Sequence, residues 1–301
     1  MVSITDNLKE GLKYPLYEPK KVGILAVLYF IITFLVLGAG HVFFSAIKHW
    51  GTVVNSGAIS ANSTMALANS TAISANSTAL PNNIFSMVPA ANSAGSIILL
   101  IIALIVSLFV TGYLYRVIKF TIKGKNTLPE FNEFVDMLVT GIKLVIVGIV
   151  YSIIPSILGI IGLSLSSNPS WSIVGFIILI ISIILGIVLS LMEIMAINNM
   201  AANDGSLRSA FEFKDVGHLI CSIGWIRFIG ALIFLILVST ILTFVFTFVS
   251  IIILMICSLA GKIGTYIGLV IMVIIIVLLT SYLQVVTFRY YGALYNEAIL
   301  E

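Results

Sequence analysis

The sequence predicts an all-α fold, a polytopic transmembrane bundle of about six membrane-spanning helices. Three observations carry that reading. Of the 301 residues, 60% are hydrophobic and 9% charged, and the mean hydropathy is +1.20. So little polar side chain cannot cover a water-soluble globule of this size, and lipid is the solvent for most of the surface. Uninterrupted apolar runs recur at lengths near the roughly 20 residues that cross a hydrocarbon core as a helix. Basic residues gather in alternate connections between those runs, as a multi-pass chain requires.

The apolar runs cover 22–44, 97–115, 139–165 and 171–197. From 226 to 259 the chain is apolar for longer than one helix needs, and Gly261-Lys262-Ile263-Gly264 separates this run from a last one at 265–288. One tilted helix is expected over 226–259 rather than two re-entrant pieces, because no Pro interrupts it. The chain thus divides into a short polar segment, 1–21, and a membrane domain, 22–301, with a long connection at 51–95. An anchored first span fits better than a cleaved signal peptide, since its apolar run is longer than a usual signal core and a long polar region precedes it.

Charge bias orients the spans. With both termini inside, the inner segments hold Lys9, Lys13, Lys20 and Lys21, then Arg116, Lys119, Lys123 and Lys125, then Arg208 and Lys214, with Arg289 in the tail. The outer segments hold only Lys48 and Lys262. Lys143 and Arg227 fall within a turn of inner helix ends, where their stems carry the charge back to the interface. The expected location is the cell membrane, multi-pass, with cytoplasmic termini.

The outer connection 51–95 is rich in Ala, Ser and Asn and has no Asp, Glu, Lys or Arg. It contains a tandem repeat of seven residues at 58–64, 65–71 and 72–78. Each unit holds an N-glycosylation acceptor, at Asn62, Asn69 and Asn76. Sugars there would solvate an uncharged loop and shield it from proteases. A low-complexity spacer that expanded by duplication is the competing reading.

The inner connections read differently. Arg116 to Lys125 is a basic helix end stopped by Gly124, suited to anionic lipid headgroups, the expected partners. From Leu128-Pro129-Glu130 a new helix is expected, with proline near its start and acids in its first turns. Phe131, Phe134, Val135 and Leu138 would share one face of a short segment lying at the interface. After the fourth run, Asp204-Gly205 makes a turn, followed by Leu207, Ala210, Phe211 and Phe213 in a similar device. Thr111-Gly112-Tyr113-Leu114 and Thr280-Ser281-Tyr282-Leu283 occupy equivalent places near inner helix ends, with Val117 and Val286 at matching offsets. The pattern suits three hairpin repeats inserted in one orientation, and chance similarity between apolar helices explains it about as well.

No catalytic constellation emerges, and neither an enzyme nor a resident cofactor or metal is expected. His41, His49 and His218 are scattered unlike any metal-ligand set, and Cys221 and Cys257 fall near opposite membrane ends. No nucleic-acid partner is expected of so apolar a chain. The residue that chemistry singles out is Glu193, an acid near the inner end of the fourth span among Met192, Ile194, Met195 and Ala196. A charge there should face protein, water or a base, and Arg116 or Arg227 at the same level is the expected partner. That polar site is either a proton or cation site or an ion pair that locks helices together. Asn198 and Asn199 either extend it or mark the helix exit.

Gly11-Leu12-Lys13-Tyr14-Pro15, then Gly112-Tyr113-Leu114 with Arg116, then Lys123-Gly124-Lys125 leading to Leu128-Pro129-Glu130-Phe131 and Gly141, together carry a resemblance over most of the chain. The chain resembles the uncharacterised archaeal membrane-protein family catalogued as domain of unknown function 4013. That resemblance implies an archaeal cell-membrane protein and no particular activity. The repeated outer loop departs from the compact family pattern. Two functions remain: a non-enzymatic envelope or scaffold protein with a filled bundle, or a transporter or permease-like protein for a small solute with Glu193 in its polar path.

Overall fold

The computed structural model describes residues 4–40 and 90–300, all of whose regular structure is helical. The helices are α1 (Ile4–Tyr17), α2 (Pro19–Gly40), α3 (Ala90–Ile122), α4 (Phe134–Ser166), α5 (Ser172–Ala202), α6 (Leu207–Ala210), α7 (Phe213–Ile223), α8 (Trp225–Ser258) and α9 (Gly261–Leu300). Six of these, α2, α3, α4, α5, α8 and α9, are long and apolar enough to cross a membrane. Asn62, Asn69, Asn76, His41 and His49 lie outside the described residues, as does the loop at 51–95 up to residue 89; its last residues already belong to α3.

The chain forms two compact units. One comprises Ile31–Val106, where the later part of α2 meets the early part of α3: a Cβ on Gly38 would sit 3.7 Å from Leu99. The other comprises Met1–Phe30 and Ser107–Glu301. Its core does not run evenly along the helices. Met195, Met200, Ile220, Phe228, Tyr290 and Leu294 are fully buried at one end, which we call the base. Further along, Ile173, Ile183, Phe244 and Ile256 stay exposed, as side chains solvated by acyl chains are.

The apolar run at 226–259 is one unbroken helix, α8, and α8 and α9 pack as a hairpin. The turn falls at Leu259 and Ala260, and Gly264 lies so close to α8 that a Cβ there would come within 2.0 Å of the Cys257 carbonyl. The helices α3 and α4 approach just as closely. A Cβ on Gly112 would stand 2.0 Å from the Met137 carbonyl oxygen, and one on Gly141 would stand 2.2 Å from that of Leu108.

Two segments depart from the sequence expectation. No helix starts at Leu128; residues 123–133 form an irregular connection, and α4 begins at Phe134. Proline and early acids imitate a helix start, but the carbonyls here are taken by side chains of distant helices, so no helix is needed to satisfy them. Phe131 leaves the expected apolar face and stacks on Tyr113, with ring centres 4.0 Å apart. The second departure is at the end of the chain, where α9 continues to Leu300, past the apolar run that ends at Phe288. Tyr290, Leu294 and Ala298 recur at helical spacing and bury against the base, where α9 packs on α1 and α7.

Candidate functional site

The polar side chains of the base converge on the connection 123–133. Glycine at 124, with φ +68, ends α3, and the Lys125 amide returns to the Phe120 carbonyl at 2.9 Å. Beyond it, successive carbonyls are held from four helices. Arg289 of α9 donates to Lys125 at 2.8 Å, Tyr14 of α1 to Thr127 at 2.8 Å, and Lys21 of α2 to Leu128 at 2.7 Å. From α3, Tyr113 donates to Pro129 at 3.2 Å and Arg116 to Asn132 at 2.7 Å. Tyr282 of α9 likewise donates to a carbonyl, that of Leu12 in α1.

Arg116 and Arg289 are each 9% exposed. Arg116 forks between Glu133 at 2.9 Å and Asp136 at 3.0 Å. That grip holds Glu133 in the left-handed region, φ 53, where a non-glycine residue costs about 1–2 kcal/mol. Arg289 also donates to Asn126 at 2.8 Å and Thr121 at 3.2 Å.

Glu193 therefore does not receive either of the bases expected for it. Arg227, in the first turn of α8, pairs with Glu297 in the last turn of α9. Glu297 lies past the apolar run, where the sequence alone does not mark it. The spacing of Tyr290, Leu294 and Ala298 was the signal that α9 goes on far enough to deliver it. Glu193 is half-buried and faces α4, where a Cβ on Gly148 would lie 3.3 Å from its Oε1. Among the described residues, it makes no ion pair.

Asn199 and its neighbours fasten the base instead of extending a polar patch around Glu193. The Asn199 amide donates to the Ser209 carbonyl at 2.9 Å, and Tyr295 donates to the Asn199 side chain at 3.3 Å. Tyr151 donates to the Ala210 carbonyl at 2.8 Å. These bonds tie α6 to α4 and α5. Beside them opens a cavity of about 610 Å³, with Tyr115, Arg116, Lys119, Lys143, Asp204 and Gly205 among its lining residues. No cluster of three or more His, Cys, Asp or Glu among the described residues is placed to hold a metal ion.

A model of the family described as Protein of unknown function (DUF4013) matches residues 96–255. The chain belongs to that family. It is also similar to an uncharacterized protein of Methanocaldococcus jannaschii, with 30% identity over 152 residues, 49% of this chain and 53% of that protein. The chain spans about half the length of that curated relative. No solved structure matches.

The DUF4013 match is narrower than the resemblance drawn from the sequence. It takes in most of α3, the connection, α4 to α7 and most of α8, and so includes Arg116, Glu193 and Arg227. Gly11-Leu12-Lys13-Tyr14-Pro15 lies outside it, as do Arg289 and Glu297. The base thus joins DUF4013 residues to residues beyond the matched stretch: Arg227 to Glu297, and the connection to Tyr14 and Arg289.

Proposed function

We propose that this DUF4013 protein is a non-enzymatic component of an archaeal cell membrane with an envelope or scaffold role, and that both of its termini are cytoplasmic. The observation that carries the proposal is the use made of the buried polar groups at the base. Arg116 and Arg289 are engaged by the carbonyls and acids of one connection, which fastens helices together. Glu193 lines neither the cavity along α8 and α9 nor the one between α5, α8 and α9. The exposed bases around the base, among them Lys13, Lys20, Lys123, Lys125 and Arg208, suit an inner leaflet with anionic headgroups. We further propose that Asn62, Asn69 and Asn76 carry sugars, which intact-mass measurement on protein from its own cells would detect.

The alternative, a permease-like protein for a small solute, is favoured by Glu193, since an intramembrane acid without an ionic partner among the described residues is costly to retain. Proton flux into proteoliposomes under an imposed pH gradient separates the two. An envelope or scaffold protein adds no flux over empty vesicles. A flux that Glu193→Gln abolishes would replace this proposal with transport.

A further inference from the structure

We infer that the crevice between the turn from α1 to α2 and the α8–α9 hairpin binds an anionic membrane lipid, with its hydrocarbon chain in the crevice and its headgroup at Lys13 and Lys20. The inference goes beyond the envelope or scaffold role and does not rest on it. The crevice has a volume of about 690 Å³ and is walled by four helices, with Leu12 and Leu16 of α1, Gly23 of α2, Phe246 of α8 and Leu278 of α9 among its lining residues. No charged side chain lines it, and its only polar side chain, Tyr282, already donates its hydroxyl to the Leu12 carbonyl. Such a wall suits hydrocarbon and not a polar solute. Along α8 the crevice extends from Val238 to Phe246, about 12 Å at 1.5 Å per residue. That is room for the part of a lipid chain nearest its headgroup, in a hydrocarbon core about 30 Å thick.

Two further features say what fills it. Gly23 lines the crevice from within α2, yet a Cβ there would meet nothing within 4 Å. No protein neighbour calls for glycine at this position, where it weakens the helix relative to alanine, and the missing side chain leaves space against the wall. The second feature is charge at the rim. Lys13 precedes Leu16 by one turn of α1 and Lys20 precedes Gly23 by one turn of α2, so each base borders the lining of its helix. Both are exposed, and neither pairs with a carboxylate among the described residues. Of the acids in this stretch, Asp6 is engaged by Lys9 and Glu18 by Lys21, which leaves Glu10 as the one acid set against these two bases. The rim is therefore positive where the first span begins, at Pro19. An anionic headgroup is attracted there, whereas a zwitterionic one brings a cation of its own.

Thermal unfolding of the full chain in detergent reads the binding. Phosphatidylglycerol and phosphatidylcholine with identical chains are titrated separately, and glycerol phosphate serves as a headgroup without a chain. Phosphatidylglycerol should raise the melting temperature saturably, at about a tenth of the phosphatidylcholine concentration or less, and glycerol phosphate should leave it unchanged. Lys13→Gln together with Lys20→Gln should bring phosphatidylglycerol level with phosphatidylcholine. Gly23→Leu places protein atoms where the lipid chain would lie, so it should melt no lower than the wild type without lipid and lose the response to phosphatidylglycerol. The lysine variant changes only exposed side chains and decides the matter alone if Gly23→Leu does not fold. The inference is overturned if phosphatidylcholine acts as strongly as phosphatidylglycerol, if glycerol phosphate alone reproduces the shift, or if either variant responds like the wild type. A response to neither lipid, as expected of a crevice that takes a partner's helix instead, overturns it as well.

Discussion

The guanidinium of Arg289 sits over the ring of Tyr14, 4.5 Å from its centre, and the two side chains grip neighbouring carbonyls of the same connection. One residue comes from the first helix and the other from the last. The pair is the point at which both ends of the chain are fastened to the loop between α3 and α4.

Replacing Arg289 tests how much that fastening contributes. Lysine keeps the charge but loses the planar fork that reaches Lys125, Asn126 and Thr121 together. Arg289→Lys should lower stability by about 2 kcal/mol, given about 1.5–3 kcal/mol for a hydrogen bond to a charged group and partial compensation by the ammonium. Unfolding in detergent measures it, and a melting temperature equal to the wild type would mean that the fork is dispensable.

Tyr14 makes stability depend on alkaline pH. Burial pushes its hydroxyl up to about 12 from the ordinary 10.0, against the pull of Arg289 in the other direction. The folded protein holds this proton more tightly than the unfolded chain does, so the contribution is complete below pH of about 10 and is lost as pH rises through about 12. A shift of that size corresponds to about 3 kcal/mol. At pH 8, Tyr14→Phe should be less stable than the wild type by about 1 kcal/mol, from the lost bond to Thr127. That gap should close and reverse as pH approaches 12; a constant gap would show that Tyr14 titrates alike in both states.

Gly112 and Gly141 let the backbones of α3 and α4 touch. A Cβ on Gly112 meets main-chain atoms of Met137, which cannot swing aside, so Gly112→Ala should cost about 3 kcal/mol or prevent folding. Gly230 in α8 has nothing within 4 Å of its Cβ position. Gly230→Ala should therefore gain about 0.5–1 kcal/mol from helix propensity, and equal behaviour of the two variants in an unfolding assay would deny the close approach.

The spans were legible because lipid solvation imposes a long apolar pattern that needs no knowledge of neighbours. Arg116 was also legible as an inner helix end. Its partners were not: Glu133 and Asp136 are close in sequence, but they read as the acids of a helix start until Tyr14, Lys21, Tyr113 and Arg289 are known to occupy the carbonyls around them. Those contacts join residues more than a hundred positions apart in three of four cases, and no local signal encodes them. The end of α9 carried a usable signal, the spacing of Tyr290, Leu294 and Ala298, which the polar residues between them obscured. At Glu193 the sequence marked the acid but had no means to show that Glu133 and Asp136 take Arg116 and that Glu297 takes Arg227.

The two acids of α5 and α9 should respond in opposite ways. Glu297→Leu removes the carboxylate that Arg227 grips in a site that is only partly exposed, and should cost about 2–3 kcal/mol, below the full penalty of a broken buried pair. Glu193→Leu removes an acid with no ionic partner among the described residues and should be tolerated or mildly stabilising. Comparing the two melting temperatures at equal purification yield checks this; a larger loss at Glu193 would reverse the assignment of the ion pair.

Single-cysteine labelling in intact cells tests the proposed orientation most directly, after Cys221 and Cys257 are replaced. Cysteines at Lys123, Gly205 and Asn296 should resist a membrane-impermeant reagent until the cells are opened, while those at Ala72 and Lys262 should react from outside. Labelling of Lys123 and Gly205 from opposite sides of the membrane would contradict both the six-span topology and the gathering of α1, the connection and the end of α9 at one cytoplasmic face.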